Sequence, residues 1–306
     1  MAYPKVAGQP EYSGVFIPEI WSSKLIDKYY DSTVLSQISN TDYEGEIRNQ
    51  GDKVIIRTLP TLDIHEYKTG QTLQHQRPNG DTKELLIDKG FYWSAIIDDI
   101  VEKQQDVDQM NKWAEDAAEQ MKIKLDTRVL GSIVPDIAPE NQGATAGRIS
   151  GNIDLGSLGS PIGLDKTNIL DLILYMGQVL DEQNVEETGR FLLLPYWATT
   201  LLKMSDIQNA SMMGDSTSAL RNGRVGVIDR FTIYNSNLLP RYNDGGTPTT
   251  HILAGTNKGL TFATQLTKTE QLRAESTFGN IMRGLMVYGH EVLRGECLTA
   301  GYVTKA

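Results

Sequence analysis

Lys53-Val-Ile-Ile-Arg-Thr-Leu59 and Glu84-Leu-Leu-Ile-Asp-Lys-Gly-Phe-Tyr-Trp-Ser-Ala-Ile-Ile97 are two runs of strand-forming residues separated by a polar excursion. The excursion, Pro60 to Asp81, carries Lys68-Thr-Gly70, Gln71, His75, Gln76, Arg77 and Pro78-Asn-Gly-Asp81. Such a tip is too polar to bury in its own domain, and an isolated two-stranded ribbon is marginal in water. The pattern therefore predicts a ribbon that finds its partner on another molecule.

A long helical pattern follows at once. Asp106 with Gln109 makes a capping pair, and Val107, Met110, Trp113, Ala114, Ala117, Met121, Leu125 and Val129 recur at three- and four-residue steps. Gly131 is expected to end the helix and Pro135 to prevent its resumption. At 1.5 Å per residue, about 25 residues span roughly 37 Å, the length of a backbone for an elongated subunit. Trp113 is expected in the core, on the apolar stripe.

Outward from these elements, residues 1–42 read as an arm, with Pro18 and Glu19 opening a helix that carries Trp21, Leu25 and Tyr29 at four-residue steps. Residues 135–165 are punctuated by six glycines and read as irregular. From Thr167 a compact pattern begins: a helix with Ile169, Leu172, Ile173, Met176, Val179 and Leu180, a buried strand Phe191–Leu194, and a helix with Trp197, Leu201 and Leu202. Val225–Ile233 and Ile252–Phe262 supply further strands, and Thr267–Val303 is expected to return beside the long helix.

The chain has 306 residues, 40% of them hydrophobic, enough for one large or two modest domains. A net charge of −10, from 29 basic and 39 acidic residues, argues against tight gripping of phosphate backbones. Cys297 is the only cysteine, so no intrachain disulfide forms; it reads as a small apolar residue in the last strand. The amino terminus has no apolar run of signal-peptide length, and Phe191–Leu202, broken by Pro195, is too short to span a bilayer. No membrane association is expected, and assembly is placed in the cytoplasm of the producing cell.

Signatures of catalysis are missing from the sequence. It contains no Gly-x-Gly, no phosphate-loop glycine ahead of its Lys-Thr pairs and no Gly-x-Ser-x-Gly elbow. His65, His75, His251 and His290 have no metal spacing, and Asp98-Asp99 and Asp106/Asp108 read as solvated charge or helix caps. No catalytic, cofactor-binding or metal residue is assigned; a soluble acidic α/β enzyme is the reading kept from another class.

A second line of inference comes from motif order. Phe16-Ile-Pro-Glu-Ile-Trp21, Asn40-Thr-Asp-Tyr-Glu-Gly45, Gly51-Asp-Lys-Val-Ile-Ile-Arg57 and Leu86-Ile-Asp-Lys-Gly90 are followed by Trp113-Ala-Glu-Asp-Ala117 and Gly189-Arg-Phe-Leu-Leu-Leu-Pro195. Leu220-Arg-Asn-Gly223, Ile228-Asp-Arg-Phe231 and Tyr288-Gly-His-Glu-Val-Leu-Arg294 complete the series. In this order, from about Phe16 to the carboxyl end, the chain resembles the major capsid (coat) proteins of tailed bacteriophages, a fold shared with encapsulins and the herpesvirus capsid floor. The resemblance implies an α+β chain: an amino-terminal arm (1–42), an extended two-stranded loop with its base strands (43–97), a peripheral domain with a spine helix (98–135 and 267–306) and an axial domain (136–266).

It further implies a non-enzymatic protein, without cofactors, that assembles into hexamers and pentamers of an icosahedral head around double-stranded DNA, enclosed without sequence-specific binding. A separate scaffolding protein and a portal are implied, a decoration protein is an option, and the virion capsid is the location; an encapsulin-like compartment is the nearest alternative. Trp21, Leu25, Tyr29, Lys68, His75 and Arg77 become candidates for intersubunit contact. In some relatives a lysine at the ribbon tip joins an asparagine of a neighbour as an isopeptide; Lys68 would be that lysine, and no motif fixes the asparagine.

Overall fold

The computed structural model describes residues 33–42, 53–57, 60, 62–73, 75–77, 80, 82–100, 109–205, 226–275 and 277–306. The expected arm helix with Trp21, Leu25 and Tyr29, and the Asp106 cap, lie outside them.

β1 (Lys53–Arg57) and β2 (Thr82–Leu86) form the antiparallel ribbon, with Lys53 opposite Leu86 and Arg57 opposite Thr82. The returning run is not one strand, as the sequence suggested. It breaks at Ile87-Asp88, and β3 (Lys89–Asp98) joins another sheet. Leu85 and Ile87 are buried against Ala263, which pins the end of β2 to the body. Gly289 allows this approach, because a Cβ there would collide with the Leu86 carbonyl oxygen.

β3 pairs with β11 (Gly279–Val292), which pairs with β10 (Leu260–Arg273), both antiparallel. The odd-numbered residues of β3 face inward and its even-numbered ones face solvent up to Ile96, as strand periodicity requires. Opposite Trp93 stands Gly284, and the indole covers the space that a side chain there would fill.

The long helix spans Gln109–Ile133, 25 residues, and passes through Gly131 instead of ending there. Glycine weakens a helix interior by about 1 kcal/mol. Burial of Leu130, Ile133 and Ile137 outweighs that cost, drawing the chain through a last turn before Pro135 opens a 3₁₀ turn.

The second sheet has seven strands: β4 (Ile162–Leu164), β12 (Leu298–Lys305), β9 (Thr247–Thr256), β5 (Arg190–Leu194), β7 (Phe231–Asn235) and β6 (Val227–Ile228) in spatial order, with β8 (Arg241–Asp244) on β9. Leu192, Leu194, Ile252, Ala254 and Val303 pack under the helices Ile169–Glu182 and Tyr196–Met204. On the other face Phe191, Leu193, Leu253, Leu298 and Ala300 meet Leu125, Val129, Leu130 and Ile133 of the long helix. Covered on both sides, β5 is buried at all five positions, which explains its uninterrupted apolar sequence. Of the carboxyl-terminal region expected beside the long helix, β11 does return to β3. β12 instead becomes an interior strand of the seven-stranded sheet, paired to β9 and β4.

Candidate intersubunit surfaces

Beyond β1 and β2 the ribbon runs on without a backbone ladder: residues 62–73 and 75–77 form neither strand nor helix, and all are exposed. A side-chain amide replaces the missing pairing. Gln76 Nε2 donates to the Asp63 carbonyl (3.2 Å), Gln76 Oε1 accepts from the Asp63 amide (3.1 Å), and the same Nε2 lies 3.1 Å from His65 Nε2. At the tip the Gln71 amide donates to the Lys68 carbonyl (3.0 Å), and the Lys68 amide donates to Gln71 Oε1 (3.2 Å). Gly70 completes this turn at φ +89°, a conformation that penalises any Cβ.

Lys68, His75 and Arg77 lie along this loop, from its tip toward its base, and all three are exposed. What the sequence reading passed over is its apolar content. Ile64 is 96% exposed and Tyr67 69%, and Leu62 and Leu73 also face solvent. Each such side chain contributes about 1.5–3 kcal/mol once fully buried. Apolar residues at 62, 64, 67 and 73 inside a polar stretch were the available signal.

The first half of the long helix is a second surface. Trp113 is 41% exposed, correcting the expectation that it is a core residue. Ala114, Ala117 and Met121 on its stripe are only half-buried, whereas Leu125, Val129, Leu130 and Ile133 are buried. The reason is length: among the described residues, only the carboxyl-terminal half of the helix meets the core.

The outer face of the three-stranded sheet is a third. Ile96, Ile281 and Leu272 form one cross-strand row, and Tyr92 with Leu285 another, with Tyr92 81% exposed. Between the rows Arg283 Nη2 pairs with Glu270 Oε2 at 2.8 Å. At the sheet's end Arg273 reaches across β11 to Asp99, donating from Nη1 to Oδ1 at 2.8 Å, so the Asp98-Asp99 pair supplies an ion pair to the sheet.

The remaining polar clusters hold the fold. Arg190, its side chain wholly buried, donates to the carbonyls of Glu186 (2.8 Å) and Val185 (2.6 Å) and pairs with Asp181 (2.7 Å). Against the cost of burial, Arg190 and Arg230 keep the Asp181 carboxyl below the usual carboxylate range. Cys297 lies in a 3₁₀ turn ahead of β12, not within the strand; burial pushes its thiol up, away from the reactive thiolate. His65 and His75 are on the loop, His251 on β9 and His290 on β11. Among the described residues no group of three or more His, Cys, Asp or Glu is placed to hold a metal ion, and no helix is long and apolar enough to cross a membrane.

A family model described as phage capsid protein matches residues 83–296, more than two thirds of the chain. The chain belongs to the phage capsid protein family. It is a structural protein of the phage head, not an enzyme, and the compartment and enzyme alternatives fall with that assignment. No curated protein matches the sequence. Among solved structures the capsid protein fold is similar to that of Mycobacterium phage Che8, at 24% identity and a TM-score of 0.78, covering 95% of this chain and 98% of that one. The capsid of Cyanophage P-SCSP1u aligns at 15% identity and a TM-score of 0.74, over 95% and 94% of the two chains. The Cyanophage Pam1 capsid aligns at 12% and 0.71, over 98% and 99%. At such low identity the likeness is one of fold.

Proposed function

We propose that this capsid protein closes its shell by laying the ribbon of each subunit across a neighbour within hexamers and pentamers. The observation that carries the reading is the loop at residues 62–77: it holds Ile64 and Tyr67 in solvent while Gln76 and Gln71 fix its shape. A preshaped apolar loop loses little conformational freedom on docking. Lys68, His75 and Arg77 form the polar rim of that contact, and Trp21, Leu25 and Tyr29 anchor the arm between subunits. Many modest interfaces, repeated by symmetry, then sum to a stable shell.

A separate scaffolding protein guides assembly in the host cytoplasm, a portal replaces one pentamer, and a decoration protein is an optional addition. Double-stranded DNA is enclosed without sequence-specific contacts, in keeping with the chain's net charge of −10. Limited proteolysis tests the ribbon's role. Free subunits are expected to be cut first between residues 62 and 77, and assembled particles to be protected there; equal cleavage in both states would contradict it.

A further inference from the structure

His290 is 7% exposed and joins three elements. Its Nδ1 lies 3.4 Å from Lys89 Nζ at the start of β3, and its Nε2 lies 2.6 Å from Ser132 Oγ in the last turn of the long helix. Ser132 Oγ in turn donates to the Val129 carbonyl at 2.9 Å. These contacts fix every proton. A lysine ammonium has only donors, so Nδ1 accepts; Nε2 therefore carries the hydrogen and donates to Ser132, whose own hydrogen goes to Val129. No acceptor is left for a second proton on the ring.

We propose that the Lys89–His290–Ser132 relay is a proton-operated latch: with His290 neutral it fastens the last turn of the long helix to the three-stranded sheet, and one proton on Nδ1 releases it. That proton would point an N–H at an ammonium, and Arg128 on the helix adds a second cation beside the ring. Asp88 is the opposing charge; Tyr288, stacked at 6.3 Å, supplies only a ring face, and Glu291 on the same strand is itself pushed toward its neutral form by burial. Burial first, then Lys89, lowers the His290 pKa to about 4 from its ordinary 6.5. The sign follows: a released, solvated His290 takes up its proton near pH 6.5 while the latched one does not, so the latch holds above that value and weakens as pH falls toward 4.

Helices and sheets joined this way can part locally without global unfolding, which hydrogen exchange reads directly. The experiment uses free subunits of the full chain, following exchange at residues 123–133 from pH 7.5 to 4, corrected for intrinsic rates, with β12 as the control for global opening. Opening of the helix end is expected to rise by on the order of tenfold per pH unit between 6.5 and 4 while β12 stays protected. His290→Gln keeps a donor for Ser132 and an acceptor for Lys89 but cannot titrate, and is expected to abolish that rise. Lys89→Met removes the facing cation and is expected to move the midpoint to higher pH. Identical pH profiles in all three proteins would overturn the latch; should His290→Gln fail to fold, an unmoved midpoint in Lys89→Met overturns it alone.

Discussion

The carboxylate of Asp126, buried on the long helix, accepts hydrogen bonds from the backbone amides of Val34 at 2.6 Å and Leu35 at 3.2 Å. It caps a single helical turn, Leu35–Ile38, that no side chain of its own segment caps, and so fastens the end of the amino-terminal region to the spine. Asp126→Ala leaves two buried amides without an acceptor and is expected to destabilise the subunit by about 1–3 kcal/mol. Asp126→Asn keeps an acceptor and is expected to be nearly neutral, because burial raises the Asp126 pKa despite both amides. Urea denaturation of the two variants at pH 7 checks the contrast.

Glu182 works in the opposite direction. Its Oε2 accepts from the amides of Ile149 (2.8 Å) and Ser150 (3.0 Å), and its Oε1 accepts from Gln178 (3.0 Å). Burial raises its pKa, but these donors prevail and bring it down from 4.5 to about 2. The stability it contributes is present above pH 4.5 and lost as pH falls toward 2. The melting temperature of Glu182→Gln should therefore lie below that of the natural chain at pH 6 and converge with it near pH 2. A gap that stays constant with pH would contradict this.

Gly284→Val places a side chain where the Trp93 indole lies and is expected to cost about 1–3 kcal/mol. Displacement of the indole into solvent should shift tryptophan emission to the red in the same variant, which thermal melts and fluorescence check together.

Trp113→Ala separates the free subunit from the shell. With the indole 41% exposed, the free subunit is expected to lose about 2 kcal/mol, short of the 3–5 kcal/mol typical of a fully buried aromatic. A greater loss of stability per subunit in shells would place this stripe at a contact between subunits. Calorimetry of both forms measures the difference.

Much of this arrangement was legible in the sequence, and its limits are physical. Strand and helix periodicity located the ribbon, the long helix and the helix Ile169–Glu182, because each carries a fixed repeat, and an unbroken apolar run marked the buried β5. Periodicity does not say how far the body extends beneath a helix, so Trp113 was misplaced. Nor does it say which sheet a strand joins: the break at Ile87-Asp88 depends on Gly289, two hundred residues away, and the interior place of β12 on pairing with β9. The relay at His290 and the cap at Asp126 join residues remote in sequence, and a lone histidine or aspartate carries no local mark of its partners. At the ribbon tip the residue types pointed correctly to an exposed loop, but polar neighbours drew notice away from Ile64 and Tyr67.

The central claim is that the ribbon tip makes the shell. Electron microscopy of the double variant Ile64→Ser/Tyr67→Ser, beside the natural chain purified identically, tests it most directly. The natural chain is expected to form closed shells, and the variant to remain as folded, unassembled subunits or open fragments. Closed shells from the variant in equal number would contradict the account.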